Sequence, residues 1–238
     1  MAPYGGFAPP VLETAQGDIP LKYSVVQLPD EADAQVAATI RLMQRYVCED
    51  CQSGPIKYDA GVAIANNPND PISAIHSFVR GRMVFRRDEE NCAPLGWMLP
   101  RDGQEHRFVE MLKRPIDVAF EYANTGRQVS GDCDDFSMLC AALLKAAGID
   151  CCFATVGADP DNPNIFSHVY TVAYYRGQRY AMDCSHGQYA GWEAPNKFGK
   201  FQEWAVTDQH NLGLVGLAIA AGAWYAWRNR KEIRGWFK

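Results

Sequence analysis

The sequence has no surplus of positive charge. Its 23 lysine and arginine side chains are outnumbered by 28 aspartate and glutamate side chains, which gives a net charge of −5. Residues 228–238 hold five basic side chains and one acidic one, so residues 1–227 carry a net charge of −9. Nucleic acid is bound mainly through basic patches that neutralise phosphates. The acidic body therefore argues against nucleic acid as a partner.

The N-terminus lacks the basic and then apolar pattern of a secretory signal peptide, so we expect the eight cysteines to be in a reducing compartment. Only Cys48 and Cys51 have the C-x-x-C spacing of a zinc or redox half-site. A complete zinc site would have to borrow Cys92 or His76 from unrelated segments. The pair is a weak zinc candidate, and two thiols at the end of a helix are the simpler interpretation. We expect no bound metal and no cofactor.

Composition and periodicity divide the chain into a proline-rich lead-in at residues 1–30 and one domain of ordinary size. The lead-in is predicted to be irregular or extended. Gly, Asn, Pro and Asp are concentrated at residues 61–71, which indicates a connection, and residues 87–105 are predicted to form a long loop. Apolar periodicity predicts helices at residues 30–47, 72–79, 115–122 and 133–147, and β-branched and aromatic runs predict strands at 151–156, 165–175 and 178–184.

Cys133 stands at the predicted start of a helix. Residues 131–136 read Gly-Asp-Cys-Asp-Asp-Phe, and Asp132 is a good N-cap residue. The apolar spacing that follows runs to Gly148, which closes the helix. Unpaired backbone N–H groups and the helix dipole in a first turn favour a thiolate. Three neighbouring carboxylates, on Asp132, Asp134 and Asp135, oppose this effect.

His168 and Asp183 lie in the two strands of a predicted hairpin. Arg176 and Gly177 suit a two-residue turn, which would pair residue 175 with 178. Tyr170 would then face Asp183, and His168 would be one diagonal step from Asp183 on the same face. A diagonal pair is separated by about 7–8 Å between Cα atoms, so an imidazole and a carboxylate can reach each other. Cysteine, histidine and aspartate together are the side chains of a thiol acyl-transfer site.

Residues 212–227, LGLVGLAIAAGAWYAW, form a charge-free stretch with aromatic residues at its end and a basic tail behind it. The stretch is slightly shorter than the ~17–25 residues of a spanning helix. The aromatic end and the basic tail are typical of a membrane interface. We therefore predict a single C-terminal membrane pass within residues 211–238, of unresolved orientation. The alternative is a buried C-terminal helix.

The residues around Cys133, with Ser167-His168-Val169-Tyr170 and Met182-Asp183, make the chain resemble the transglutaminase-like superfamily over roughly residues 70–190. The resemblance implies a papain-like α+β fold, in which the nucleophile helix packs on an antiparallel sheet that bears the histidine and aspartate. By this resemblance, residues 31–210 form the catalytic domain and Cys133 is the nucleophile. His168 is the base and then the acid, and Asp183 orients His168.

Members of this superfamily include cross-linking enzymes, peptidases, deamidases and peptide-N-glycanases, and some members have lost activity. The glycanase branch carries zinc-binding C-x-x-C pairs, whereas this chain has one pair. The calcium-dependent animal cross-linking enzymes have Gly-Gln-Cys-Trp where residues 131–134 read Gly-Asp-Cys-Asp. We expect hydrolysis of an amide or isopeptide bond in a protein or peptide substrate. The alternatives are protein cross-linking and a catalytically silent, membrane-tethered binding or structural module.

Two further groups are candidates for parts of this site. An oxyanion needs two donors, of which the backbone N–H of Cys133 is one and Gln128 or Trp97 could supply the other. The commoner roles for those two side chains are an exposed loop glutamine and a packing tryptophan. His186 is a rival base because it lies near Asp183 in sequence, but His168 has the better strand geometry.

Overall fold

The structure, a computed structural model, describes residues 11–16, 19–24, 28–29, 31–88, 90, 111–194 and 199–207. These residues form a mixed α+β fold. The elements in chain order are β1 (Val11–Gln16), β2 (Ile19–Ser24), α1 (Ala32–Asp50), α2 (Gly54–Asn66), α3 (Pro71–Arg82), β3 (Met83–Phe85), α4 (Pro115–Thr125), β4 (Val129–Gly131), α5 (Cys133–Ala146), β5 (Asp150–Val156), β6 (His168–Tyr175), β7 (Gln178–Met182) and β8 (Phe201–Ala205).

Helix α5 lies at the centre of the fold. It packs on β5 and β6 on one side and on α1, α2, α3 and α4 on the other. Every residue from Asp134 to Leu144 is buried. The sequence pattern predicts one apolar stripe on this helix, but Met138, Ala141 and Ala142 are buried as well. A helix enclosed by a sheet and a helical layer loses contact with water all round.

The sheet that supports α5 has four antiparallel strands in the order β7-β6-β5-β8. The predicted hairpin register is confirmed, because Tyr175 pairs with Gln178 and Thr171 pairs with Met182. The turn residues Arg176 and Gly177 have φ of 51° and 75°. Positive φ at both positions is the geometry of the two-residue turn that matches the twist of a hairpin. The expected α+β class, with helices and an antiparallel sheet, is confirmed.

A short parallel pair of strands leads into α5. Met83 of β3 pairs with Val129 of β4, and Phe85 pairs with Gly131, two residues before Cys133. A Cβ added to Gly131 would lie 2.6 Å from Asp135 Oδ2 and 2.7 Å from Met83 Cε. Glycine is therefore needed at this position, because the chain passes too close to its neighbours for a side chain.

Several elements differ from the sequence prediction. Helix α2 includes residues 61–66, part of the stretch 61–71 whose Gly, Asn, Pro and Asp content predicted a connection. The helix buries Ile56, Ala60 and Ala63. Strands β3, β4 and β8 were not predicted. Within the proline-rich lead-in, β1 and β2 form an antiparallel pair in which Gln16 is opposite Ile19.

The predicted membrane localisation is wrong. Among the helices of the described residues, none combines the length and the apolar composition that crossing a bilayer requires. The apolar stretch at residues 212–227, on which the prediction of a C-terminal helix rested, lies outside the described residues.

Candidate active site

Cys133 is the first residue of α5, as predicted. Asp132 caps the helix, because its side chain accepts a hydrogen bond of 3.1 Å from the backbone N–H of Asp134. The Cys133 side chain is half-buried, and its Sγ lies 3.5 Å from Asp134 Oδ1. The thiol is thus located at the positive end of the helix dipole and next to a carboxyl group.

The carboxyl group of Asp135 opposes a thiolate less than its position in the sequence suggests. The side chain is buried, and Oδ1 accepts a 2.6 Å hydrogen bond from the backbone N–H of Lys113. Among the described residues, Oδ2 has no hydrogen-bond partner. Burial and then the negative charge of Asp132 raise the pKa of Asp135 well above its ordinary value. The uncharged form is therefore easier to populate than in an ordinary aspartate, which reduces the opposition of Asp135 to a thiolate at Cys133.

His168 and Asp183 are in direct contact. His168 Nε2 lies 2.7 Å from Asp183 Oδ2, and the side chain of Asp183 has no exposed surface. Asp183 Oδ1 accepts hydrogen bonds from the backbone N–H of His186, at 3.0 Å, and from the hydroxyl of Ser185, at 2.9 Å. Burial acts to raise the pKa of Asp183, but the hydrogen bond and charge of His168, with the two other donors, lower it overall. Asp183 is therefore a carboxylate that accepts a hydrogen bond from the Nε2–H of His168.

The register of α5 along β6 brings the first turn of the helix to the start of the strand. The hydroxyl of Thr171 donates to the carbonyl of Ser137 at 2.8 Å, and the hydroxyl of Ser137 lies 2.6 Å from the carbonyl oxygen of Cys133 and 3.3 Å from that of Val169. One helical turn advances about 5.4 Å and two strand residues about 6.7 Å. One turn before Ser137, Cys133 is therefore level with Val169 and its neighbour His168.

This arrangement assigns different tasks to the two ring nitrogens of His168. Nε2 faces the Asp183 carboxylate and donates to it. Nδ1 is the nitrogen left to take a proton from a neighbouring group and return it. An imidazole that a carboxylate holds in one tautomer is one arrangement that suits general acid–base catalysis.

His186 lies beside this pair. Its ring is 5.0 Å from the ring of His168 and 4.8 Å from that of Phe85, both in edge-to-face contact. Burial and then the charge of His168 lower the pKa of His186 below its ordinary value. The rival base thus reaches Asp183 through its backbone N–H, whereas the ring of His168 bonds to the carboxylate directly.

Two residues of α3 hold the backbone at the end of β7, and sequence reasoning did not assign them to the site. His76 Nε2 lies 3.4 Å from the carbonyl oxygen of Asp183, and Arg80 Nη1 donates to the carbonyl of Cys184 at 3.1 Å. Burial is the main reason why the pKa of His76 is lowered. The spacing of four residues, which places His76 and Arg80 on one helix face, was the available signal.

The oxyanion candidates remain predictions. The side-chain nitrogen of Gln128 lies 3.1 Å from the carbonyl oxygens of both Arg80 and Met83, where it supports the end of α3. A role in catalysis would require those hydrogen bonds to break. Trp97 lies outside the described residues.

Potential metal ligands occur in two groups among the described residues. His168, Asp183 and His186 form one, and Asp132, Cys133 and Asp134 form the other; within each group the ligand atoms lie within 4.8 Å of one another. The weak zinc candidates Cys48 and Cys51 belong to neither group. At the end of α1, the thiol of Cys51 donates to the carbonyl of Cys48 at 3.4 Å.

Comparison with known proteins finds distant structural similarity. No protein-family profile and no curated protein matches the chain. The chain is similar to a "Putative Cysteine Protease from Cytophaga hutchinsonii", with 18% identity and a TM-score of 0.36 over 65% of this chain and 49% of that chain. It is also similar to a "putative protease from Parabacteroides distasonis ATCC 8503", with 14% identity and a TM-score of 0.40 over 84% of this chain and 41% of that chain. The chain thus spans less than half the length of either protein.

Proposed function

We propose that this protein is a cysteine hydrolase of the transglutaminase-like type, which cleaves an amide or isopeptide bond in a protein or peptide. Residues 31–210 form its catalytic domain. The proposal rests chiefly on the 2.7 Å contact between His168 Nε2 and Asp183 Oδ2 at the strand end that lies level with Cys133. A buried carboxylate, an imidazole and a thiol at a helix start are the components of thiol-dependent acyl transfer.

In the first half of the reaction, His168 Nδ1 takes the proton of the Cys133 thiol, and the thiolate attacks the substrate carbonyl carbon. The carbon–nitrogen bond then breaks as His168 gives the proton to the leaving amine, and a thioester remains on Cys133. Asp183 stabilises the imidazolium through Nε2–H. The backbone N–H of Cys133, at the helix start, is a donor for the oxyanion.

In the second half, His168 takes a proton from water, the resulting hydroxide attacks the thioester, and the thiolate leaves. An amine in place of water would give cross-linking by the same steps. We favour water because hydrolysis is the commoner chemistry in the superfamily that the sequence resembles. The same thioester intermediate precedes both outcomes, so the products of a turnover assay distinguish water from an amine as the acceptor.

Thiol alkylation tests the site without knowledge of the substrate. At mildly acidic pH, a cysteine paired with histidine reacts with iodoacetamide faster than other thiols. Cys48 is a matched internal control, because its side chain is half-buried like that of Cys133. We expect peptide mapping to show faster labelling of Cys133 than of Cys48, and we expect His168→Gln to abolish the difference. Equal labelling rates in the native protein would overturn the proposal.

Turnover assays then separate the possible reactions. Casein is incubated with the protein and with Cys133→Ser. New amino termini would indicate peptide hydrolysis, release of ammonia would indicate deamidation, and incorporation of a fluorescent primary amine would indicate cross-linking. A fast-labelling Cys133 combined with none of these products from casein or from an isopeptide-linked substrate would favour the silent module.

A further inference from the structure

His168, Asp183 and His186 offer two imidazoles and a carboxylate whose ligand atoms all lie within 4.8 Å of one another. Two histidines and one carboxylate bind zinc and similar divalent metals, with the remaining coordination positions open to water. We propose that these three residues form a binding site for a divalent transition metal ion of the zinc type. The three side chains come from the start of β6 and the segment after β7, so the fold itself brings them together.

The hydrogen bonds of Ser185 prepare His186 for this role. The Ser185 hydroxyl donates to Asp183 Oδ1 at 2.9 Å, and Ser185 Oγ lies 2.9 Å from His186 Nδ1. A hydroxyl has only one proton to donate, and a carboxylate can only accept. Ser185 Oγ must therefore accept from His186 Nδ1–H. In the neutral ring this leaves the lone pair on Nε2, so Nε2 is the nitrogen that would bind a metal in this tautomer.

The same contacts resemble the outer shell of known metal sites. A metal-bound histidine usually donates its second ring N–H to an oxygen acceptor, which fixes the tautomer and the ring orientation. Ser185 is that acceptor for His186 here. Asp183 Oδ1 is held by the Ser185 hydroxyl and by the backbone N–H of His186, so Oδ2 is the oxygen directed at the site.

A bound ion would occupy the place of the proton between His168 and Asp183. With metal–ligand distances of about 2.0–2.1 Å, tetrahedral coordination separates two donor atoms by about 3.3 Å. His168 Nε2 and Asp183 Oδ2 are 2.7 Å apart, so a small outward movement would accommodate the ion. His186 is exposed, which gives the ion a route from solvent. On the proposed function, an occupied site would withhold His168 from proton transfer and inhibit the enzyme reversibly.

Cobalt(II) binding to the full chain under reducing conditions tests the site directly. Thiolate ligands give Co²⁺ an intense near-ultraviolet charge-transfer band, whereas imidazole and carboxylate ligands give only weak visible bands. We expect one equivalent of Co²⁺ to bind with the visible bands alone, and Zn²⁺ to displace it. A charge-transfer band on this first equivalent would overturn the proposal, because the ligands would then include at least one of the eight cysteines.

Matched variants locate the ion. We expect His186→Ala to weaken Co²⁺ binding by at least about 100-fold, and Ser185→Ala, which removes an outer contact, by about 10–100-fold. The double variant Cys48→Ser/Cys51→Ser serves as the control and keeps the wild-type affinity. His186→Gln replaces His186→Ala if circular dichroism shows that the alanine variant is misfolded. Wild-type affinity in a folded His186 variant would contradict the site.

The metal site and the proposed catalysis can fail separately. Cys133→Ser removes the thiol but none of the three ligands, so it should bind Co²⁺ like the wild type. In the wild type, Zn²⁺ should slow alkylation of Cys133, and this protection should be lost in His186→Ala. If the protein binds the metal but Cys133 is not reactive, the proposed enzyme activity is rejected and the metal site is supported. If Cys133 is reactive but the protein binds no metal, the metal site is rejected and the proposed activity is still supported.

Discussion

His168 Nε2 lies 2.7 Å from Asp183 Oδ2, although the two residues are 15 positions apart and belong to opposite sides of a hairpin. The last backbone pair before this contact is Thr171 with Met182. The side chains therefore meet just beyond the end of β7, where the strands no longer exchange backbone hydrogen bonds. This is the open end of the hairpin, and Ser137 of α5, one turn after Cys133, contacts the carbonyl of Val169 beside it.

Replacing Asp183 by asparagine should reduce the reactivity of Cys133 without unfolding the protein. The amide oxygen can still accept hydrogen bonds from the hydroxyl of Ser185 and from the backbone N–H of His186. The amide NH₂, however, would donate a hydrogen bond to His168 Nε2. The ring would then carry its proton on Nδ1, where it cannot take the thiol proton. We expect iodoacetamide labelling of Cys133 to slow by at least about tenfold, in view of the 10⁴-fold loss for the same change in a serine protease triad. The control is Asp150→Asn, at an exposed position; an unchanged rate in Asp183→Asn would remove Asp183 from the mechanism.

Removing the hydrogen bond that joins Thr171 of β6 to Ser137 of α5 should lower both the stability of the protein and the reactivity of Cys133. Thr171→Val removes the 2.8 Å donor to the carbonyl of Ser137 in a fully buried position. We expect a loss of about 0.5–1.5 kcal/mol in the free energy of unfolding, because one buried hydrogen bond is lost while the carbonyl of Ser137 stays within the backbone hydrogen bonds of α5. The helix start should also shift relative to His168, which would slow labelling of Cys133.

Thr155→Val is the matched control for that variant. Thr155 is another buried threonine of the same sheet. Its hydroxyl accepts a 2.9 Å hydrogen bond from Nε1 of Trp204, which belongs to β8. We expect a similar loss of stability in urea denaturation with no change in the labelling of Cys133. Equal labelling rates for the two variants would show that the contact between Thr171 and Ser137 does not position the thiol.

Replacing Gly131 by alanine should lower the stability of the fold, whereas replacing Gly61 by alanine should raise it. Gly131→Ala places a methyl group 2.6 Å from Asp135 Oδ2 and 2.7 Å from Met83 Cε, so we expect it to cost about 1–3 kcal/mol. Gly61→Ala lies in α2, and no atom of the part of the chain that the structure describes is within 4 Å of the added carbon, so we expect a gain of about 0.5–1 kcal/mol. Thermal or urea unfolding measures both changes. A neutral Gly131→Ala would mean that β4 approaches α5 less closely than the structure shows.

The buried carboxyl of Asp135 should make stability depend on pH. Its pKa is raised in the folded chain, so above about pH 4 the unfolded chain releases a proton that the folded chain retains. The free energy of unfolding should therefore fall as the pH rises, by at most about 1.4 kcal/mol per pH unit, until the folded carboxyl ionises. Asp135→Asn removes this dependence, so its stability relative to the wild type should increase with pH. Urea titrations from about pH 4 upward measure the difference, with the exposed Asp161→Asn as the control. A difference that stays constant over this whole range would show that the pKa of Asp135 is not raised in the folded chain.

Local sequence patterns predicted the elements that carry the proposed site. Asp132 and Gly148 mark the ends of α5 through their capping roles, and Arg176-Gly177 sets the hairpin register, because both depend on residues close in sequence. The predictions that failed or were missing depend on distant contacts. Met83 pairs with Val129, and Arg80 contacts Cys184 across 104 positions. No pattern within one segment reports which other segment will pack against it.

By itself, the sequence determined that Cys133 opens a helix and that His168 and Asp183 share one face of a hairpin. Both follow from backbone geometry over a few residues. Only the tertiary structure decided that this helix is enclosed by a sheet and a helical layer, that its first turn is level with His168, and that His186 joins His168 and Asp183. Those relationships come from burying the apolar surfaces of separate elements against one another, which is a property of the whole fold.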